Sequence, residues 1–574
     1  MDNPERITYF AATDSRGKRI PFGIKEKDRS KHMYVIGKTG MGKSTLLENM
    51  AIQDIRNGEG MAFIDPHGSA VDKLLDYIPK ERMNDVVYFA PFDMEHPVAF
   101  NVMEDVGYDK RHLVVSGLMA TFKKIWKDQW SARMEYILSN TLLALLEYPD
   151  ATLMGVNRMY TDKGYRKKVI ENVKDPLVKD FWVKEFATYT DRYTQEATPA
   201  IQNKIGQFTS NPLIRNIIGQ PKSSFDIREL MDQKKILLIN LSKGLVGDTN
   251  MQLLGSMLTT RIFLAAMSRA DLSAHDIKTL PNFYFYVDEF QNFANETFAE
   301  ILSEARKYKL NLLIAHQYVE QMEEEVRAAV FGNVGTTISF RVGPFDAEVL
   351  ETVFSPEFMK EDIVNLGFAQ IYLSLMIDGV GSRPFSGVTI PPIEPPPVSY
   401  RADILQASRS QFAARREDIE RVIFDELKLL DAEPPEPPQK SVKTYPPKPK
   451  AQSAETRPAL RKDSPPRERQ PETRQPEMRR PDVKRPEPPQ KSAEDLKAIL
   501  KTMSSKHEKH VEKKHTEEKK GLQEVLKRTN EQKPTRPVSE RDKPRDVPQA
   551  PRPKMQKPFE VSEDTLNAIF KEHV

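Results

Sequence analysis

Gly37-Lys38-Thr39-Gly40-Met41-Gly42-Lys43-Ser44-Thr45 carries the most specific chemistry in this chain. Its form is G-x-x-x-x-G-K-[ST], with an apolar run at 32–36 before it and apolar residues at helical spacing over 46–52 after it. Glycines let backbone N–H groups face inward, and the helix that follows adds a favourable dipole. The stretch is therefore suited to cradling a chain of phosphates. In that setting Lys43 reaches the β- and γ-phosphates and the Ser44 hydroxyl ligates Mg2+. ATP with Mg2+ is the ligand this chemistry takes.

A phosphate cradle needs a hydrolytic half. The apolar strand at 282–287 ends in Asp288-Glu289. Asp288 suits a second tether for Mg2+, and Glu289 the group that orients or deprotonates an attacking water. After Arg306-Lys-Tyr-Lys-Leu comes another strand, 311–317. Gln317 at its C-terminal end is placed as a sensor of the γ-phosphate, in preference to His316, because strand alternation turns only one of the two inward. Arg306 and Arg341 are candidates for an arginine finger supplied to a neighbouring subunit, and each reads equally as a surface charge or an ion-pair partner.

These groups need elements to position them, and their spacing says how much chain is involved. Lys43 and Asp288 lie 245 positions apart, far more than a few βα units of roughly 30 residues each would use. The intervening stretch 104–227 lacks strand-like alternation, has long amphipathic runs such as 134–146, and holds Trp126, Trp130 and Trp182. The expected organisation is α/β: residues 1–103 form the first part of a P-loop ATPase core and 104–227 an inserted all-helical domain with its own core. The core's second part follows over 228–400, then a helical extension over 401–432 and a disordered tail over 433–574. Sheet strands are expected to resume at 235–241 and to continue through 370–376.

Composition bounds the rest. The chain has 574 residues, 86 Lys plus Arg against 83 Asp plus Glu, and no cysteine. That excludes a disulfide-stapled fold, a thiolate zinc site and a cysteine nucleophile. No run approaches the roughly 18 apolar residues of a membrane helix, and no secretory signal is visible. A soluble, cytoplasmic protein is expected. Of the 43 prolines, 28 fall in 391–574, where proline alternates with charge too densely to bury a core. Lys440 to Gln490 is mildly basic and reads as a solvated tether or a nucleic-acid-binding arm. Two islands, 492–500 and 562–570, each open with serine and acidic residues and continue with apolar residues at helical spacing. They read as two short docking helices for an unknown protein, or as helices without a partner. His507, His510 and His515 lie between them in a run that reads as a charged, solvated helix.

The P-loop, the strand ending Phe63-Ile-Asp-Pro-His-Gly68, the helical insert, Val-Asp-Glu-Phe-Gln, Glu-Ala-Arg-Lys-Tyr…His-Gln-Tyr and Asn333-Val-Gly-Thr-Thr-Ile-Ser-Phe-Arg occur in that order. Over about 20–430 the chain thus resembles the HerA–FtsK superfamily. Within it, the chain is most similar to the conjugative type IV secretion coupling proteins of the TraG and TraD kind. The resemblance implies a RecA-like motor that forms hexameric rings, hydrolyses ATP between subunits and moves DNA sequence-independently. It also implies a helical domain that helps select a DNA–relaxase or protein substrate. Such proteins usually carry N-terminal membrane helices, and this chain starts about 30 residues before its P-loop strand. Recruitment to the inner face of the membrane by a separate partner, or work away from any membrane, is the matching expectation. His67 stands where many relatives carry lysine, and a tight turn at the strand end is the reading for it. A protein-secretion or pilus-assembly ATPase and an ATP-switched recruitment scaffold are the alternatives.

Overall fold

The computed structural model describes residues 3–428 apart from 15–17. The tail readings, 492–500 and 562–570 included, lie outside the described residues. An eleven-stranded sheet organises the described chain. Its strands come from β1 (Ile7–Thr13), β2 (Pro21–Lys25), β3 (Met33–Ile36), β4 (Gly60–Asp65), β5 (Val86–Phe89), β6 (Ile236–Asn240), β7 (Phe283–Val287), β8 (Leu310–His316), β9 (Thr336–Ser339) and β10 (Gln370–Ser374). A small hairpin, β11 (Met376–Ile377) and β12 (Val380–Gly381), precedes the last sheet strand, β13 (Phe385–Thr389). The order across the sheet is β2-β1-β13-β10-β9-β3-β8-β7-β4-β6-β5.

From β9 to β5 every pairing is parallel. Strands covered on both faces need no polar alternation, so Met33–Ile36, Ile236–Asn240 and Phe283–Val287 are buried throughout. The other side of β9 is an antiparallel extension in which β10, β13, β1 and β2 pair in turn. Sequence reading assigns no strand before residue 32. The structure finds two there, and β1 joins β13 from 378 positions away (Ala11 opposite Thr389). No local pattern encodes such a pairing.

Between β5 and β6 runs the helical stretch, from Arg111–Ile125 and Ala132–Leu146 through Pro212–Ile218 and Ile227–Asp232. It does not have the separate core expected of it. Phe122, Leu142, Trp182 and Phe208 share one contiguous buried cluster with Val87, Leu237 and Phe285 of the sheet. The reason is the helix Asp248–Met267, buried along most of its length. Helix Arg111–Ile125 packs directly against it: a Cβ on Gly117 would come within 2.6 Å of Thr260 Cγ2. Small residues at the crossing let the helix backbones approach, and apolar burial then continues from sheet to insert.

Helix Lys43–Arg56 crosses the opposite face, beside Leu238, Tyr284 and Leu313. Near its end Arg29 meets Asp54 through two bonds of 2.6 and 2.8 Å, donates to the Tyr286 hydroxyl at 2.9 Å, and lies 3.6 Å over the Tyr284 ring. After β13 the chain passes over the middle of the same helix. Asn49 donates to the carbonyls of Ile390 and Pro391 and accepts from the Ile393 N–H. Helix Arg401–Phe412 then lies along edge strand β5, where Ser408 Oγ accepts the Tyr88 N–H at 2.9 Å. Helix Arg416–Lys428 reaches the insert, with Asn216 donating to Glu420 at 3.0 Å.

Candidate active site

Parallel register brings the ends of β3, β8, β7 and β4 to one edge: Ile36 lies opposite His316, Val287 opposite Ile314, and Ile64 opposite Val287. Such an edge is where open α/β sheets bind ligands. Residues 37–42 leave β3 there. The Gly37 N–H reaches the His316 carbonyl at 3.2 Å and the Lys38 N–H the Arg341 carbonyl at 2.8 Å, so the loop is pinned between β8 and the chain after β9. A Cβ on Gly37 would sit 2.5 Å from Phe340 Cβ, and Gly42 adopts φ +112, which other residues rarely do. Gly42 also begins helix Lys43–Arg56, whose first turn has no side-chain cap. Its leading N–H groups are left for an acceptor.

Lys43 is buried and donates to the Gly37 carbonyl at 2.7 Å and the Lys38 carbonyl at 3.3 Å. Burial lowers its pKa, while Glu289 and Asp288 favour the charged form. The Ser44 hydroxyl donates to Asp288 Oδ2 at 2.8 Å. Burial pushes the Asp288 carboxyl up to about 6; Ser44 opposes the rise, and the charges of Asp65 and Glu289 add to it. Two carboxylates and a hydroxyl crowded into a dry site are short of a cation.

Glu289 stands in the left-handed region at φ +46. For a non-glycine residue this is a strained position of the kind that recurs at functional sites. Its carboxylate accepts from Gln291 Nε2 at 2.6 Å and from Gln317 Nε2, while Gln317 Oε1 accepts the Thr39 hydroxyl at 3.1 Å. The predicted sensor therefore bridges the loop and Glu289. His316 turns away, as alternation requires, and packs its ring against Tyr34 and Phe290. Burial, with the charges of Lys43 and Lys124, holds His316 down to about 3.

The two arginines fall in different places. Arg341 follows β9 and gives its carbonyl to the loop of its own chain. Arg306 is exposed ahead of β8, and that seven-residue strand, roughly 20 Å long, separates it from Gln317. Asp65 forms the expected turn, accepting from the N–H groups of His67 at 2.7 Å and Ala70 at 2.8 Å, with His67 exposed. Sequence reasoning missed Gln291 as the second holder of Glu289; its place two residues downstream is the signal that was available. It also missed Lys124, whose contacts lie 167 and 170 positions away.

These residues fit a Mg2+–nucleotide group. Uncapped helix N–H groups, a lysine bonded to carbonyls alone and a Ser–Asp pair with a raised carboxyl pKa supply donors and ligands of the right chemistry. Among the described residues no group of three or more His, Asp or Glu is placed to hold a metal ion by itself. No described helix is long and apolar enough to cross a membrane.

The model of one family, described as the type IV secretion-system coupling protein DNA-binding domain, matches residues 18–353. Solved structures similar to the chain include the bacterial conjugative coupling protein TrwB in an unbound form. It is 13% identical, with 65% of this chain and 87% of that chain covered and a TM-score of 0.48. TrwB with ADP and Mg2+ is 15% identical, covering 65% and 87%, at a TM-score of 0.46. VirB4 of Thermoanaerobacter pseudethanolicus is 14% identical, covering 70% and 99%, at a TM-score of 0.43. No curated protein matches.

Proposed function

This chain belongs to the family of the type IV secretion-system coupling protein DNA-binding domain, and we propose that it is an ATP-driven DNA translocase that hydrolyses ATP at subunit interfaces of a hexamer. The observation that carries the reading is the linked set Ser44–Asp288 and Thr39–Gln317–Glu289 around an uncapped P-loop helix.

In this reading the N–H groups of residues 40–45 and the Lys43 ammonium bind the β- and γ-phosphates. Lys43 exchanges its bonds to Gly37 and Lys38 for phosphate oxygens. Ser44 and Asp288 would hold Mg2+, which when bound would supply positive charge against the phosphates. Glu289 holds the attacking water and takes up its proton, and Gln317 reports the γ-phosphate to Glu289 through the hydrogen bond between them. Arg306 is the better candidate for action in trans, since it is exposed and far from its own chain's loop, whereas Arg341 is tied to that loop. DNA contacts would go mainly to phosphates and so weaken with salt. A relaxase and a membrane-bound secretion partner are the further partners of this reading, with the cytoplasmic side of the membrane as the workplace. The motifs at 492–500 and 562–570 would dock a protein.

The test is steady-state ATP hydrolysis with and without long duplex DNA, with Glu289→Gln as the blank. Several-fold stimulation that disappears in the variant is expected. Turnover indifferent to single- and double-stranded DNA sinks the DNA motor in favour of a protein-secretion ATPase, and nucleotide binding without turnover points to the scaffold.

A further inference from the structure

Lys124 lies on insert helix Arg111–Ile125, yet its ammonium is directed at the loop that follows the Glu289 strand. Nζ donates to the Gln291 carbonyl at 2.7 Å and to the Ala294 carbonyl at 2.5 Å. The loop contains a single helical turn, Phe290–Asn292. Carbonyls at the end of such a turn have no donor within it, and a cation there satisfies them. Gln291 thus has two attachments: its side chain holds the Glu289 carboxylate at 2.6 Å, and its carbonyl is held by the insert. Phe290 and Phe293, both buried, seat the turn. The Phe293 ring fills the space that Gly255 leaves, 2.1 Å from where a Cβ would stand.

The charge ties the loop down without forming an ion pair. An ammonium bonded to two neutral carbonyls has lost hydration without gaining a hydrogen-bonded carboxylate. Burial draws the Lys124 ammonium down to about 8, with the charge of Glu323 opposing the shift. A methionine would fill similar volume without that desolvation, but it would take the donor away from the Gln291 and Ala294 carbonyls and so release the loop.

We propose that Lys124 is a positioning residue through which the helical insert sets Glu289: a shift of helix Arg111–Ile125 moves Gln291, and Gln291 moves the carboxylate. Cargo gripped by the insert would thereby govern hydrolysis in the core. The inference rests on the reading of Glu289 as the group that orients water.

The experiment compares full-length wild type with Lys124→Met and Lys124→Arg, with Lys124→Gln as the replacement should the methionine variant not fold. Turnover, KM for ATP and amide hydrogen exchange across 289–295 are measured on each. Lys124→Met is expected to lower kcat about tenfold with KM for ATP unchanged, since Lys43 and Ser44 are untouched. Exchange across 289–295 should rise about tenfold in the nucleotide-free protein while the P-loop helix stays protected, and Lys124→Arg should recover most of the turnover. Wild-type kcat in the methionine variant, KM rising in step with the loss of kcat, or unchanged exchange would each overturn the proposal. If wild type itself does not hydrolyse ATP, the motor reading fails, and exchange alone still decides whether the insert holds this loop.

Discussion

The two ends of helix Lys43–Arg56 place charged groups in the same kind of dry interior and treat them oppositely. At its C-terminal end Asp54 receives two bonds from Arg29, which also reaches the hydroxyls of Tyr286 and Thr8. At its N-terminal end Lys43 rests on carbonyls and Asp288 is pushed up to about 6. Both sites are buried. One cluster pairs its cation with a carboxylate through two bonds, leaving only Arg29 Nε without a partner, and contributes to folding. The other leaves cation, hydroxyl and carboxylates short of partners, which is how a protein reserves a place for a charged ligand. Burial alone therefore does not mark a functional site; here the mark is a lysine resting on carbonyls next to a carboxylate that burial pushes up.

Breaking the closed end should give the largest change in stability. Asp54→Ala leaves Arg29 as a buried, uncompensated charge, and urea unfolding should show a loss of about 3–5 kcal/mol. At the open end the effect moves to activity. Glu289→Gln should reduce turnover about 10²–10³-fold, equivalent to about 3–4 kcal/mol of barrier, with the unfolding midpoint nearly unchanged. An intermediate effect belongs to the buried histidines His32 and His316, held down to about 4 and about 3. The unfolded chain binds their protons near pH 6.5 and the folded chain does not. Their stabilisation is thus full above about 6.5 and falls by about 1.4 kcal/mol per pH unit for each as pH drops toward those values. Urea midpoints between pH 6.5 and 4.5 should show that slope, and His316→Asn should remove one histidine's share of it. The smallest effect sharpens the contrast most. Lys43→Met should raise stability by up to about 1 kcal/mol, because it removes a desolvated charge, and should also abolish nucleotide binding in a fluorescent-analogue titration. If Lys43→Met is strongly destabilising instead, the two ends are not different in kind.

Much of the site was legible because its chemistry is local in sequence. The P-loop is nine consecutive residues, Asp288-Glu289 closes an apolar strand, and Gln317 was separated from His316 by alternation alone. What was hidden depends on distant pairing. β1 and β2 contribute to the sheet only because β13 arrives more than 370 positions later. Arg29 and Asp54 are 25 positions apart on different elements, and nothing near either announces the other. The insert looked autonomous because its amphipathic helices would bury apolar faces in any compact bundle. That those faces continue into the sheet depends on Gly117 lying against Thr260, a contact between helices far apart in the chain.

The helix Arg401–Phe412 along β5 has a consequence for how the chain is made. β5 ends the sheet and is synthesised early, but the residues that lie along it leave the ribosome more than 300 positions later. Until then an apolar strand, Val86–Phe89, presents open backbone groups to any other strand it meets. The nascent protein thus carries an adhesive edge through most of its synthesis, and a chain released before Ser408 would keep it.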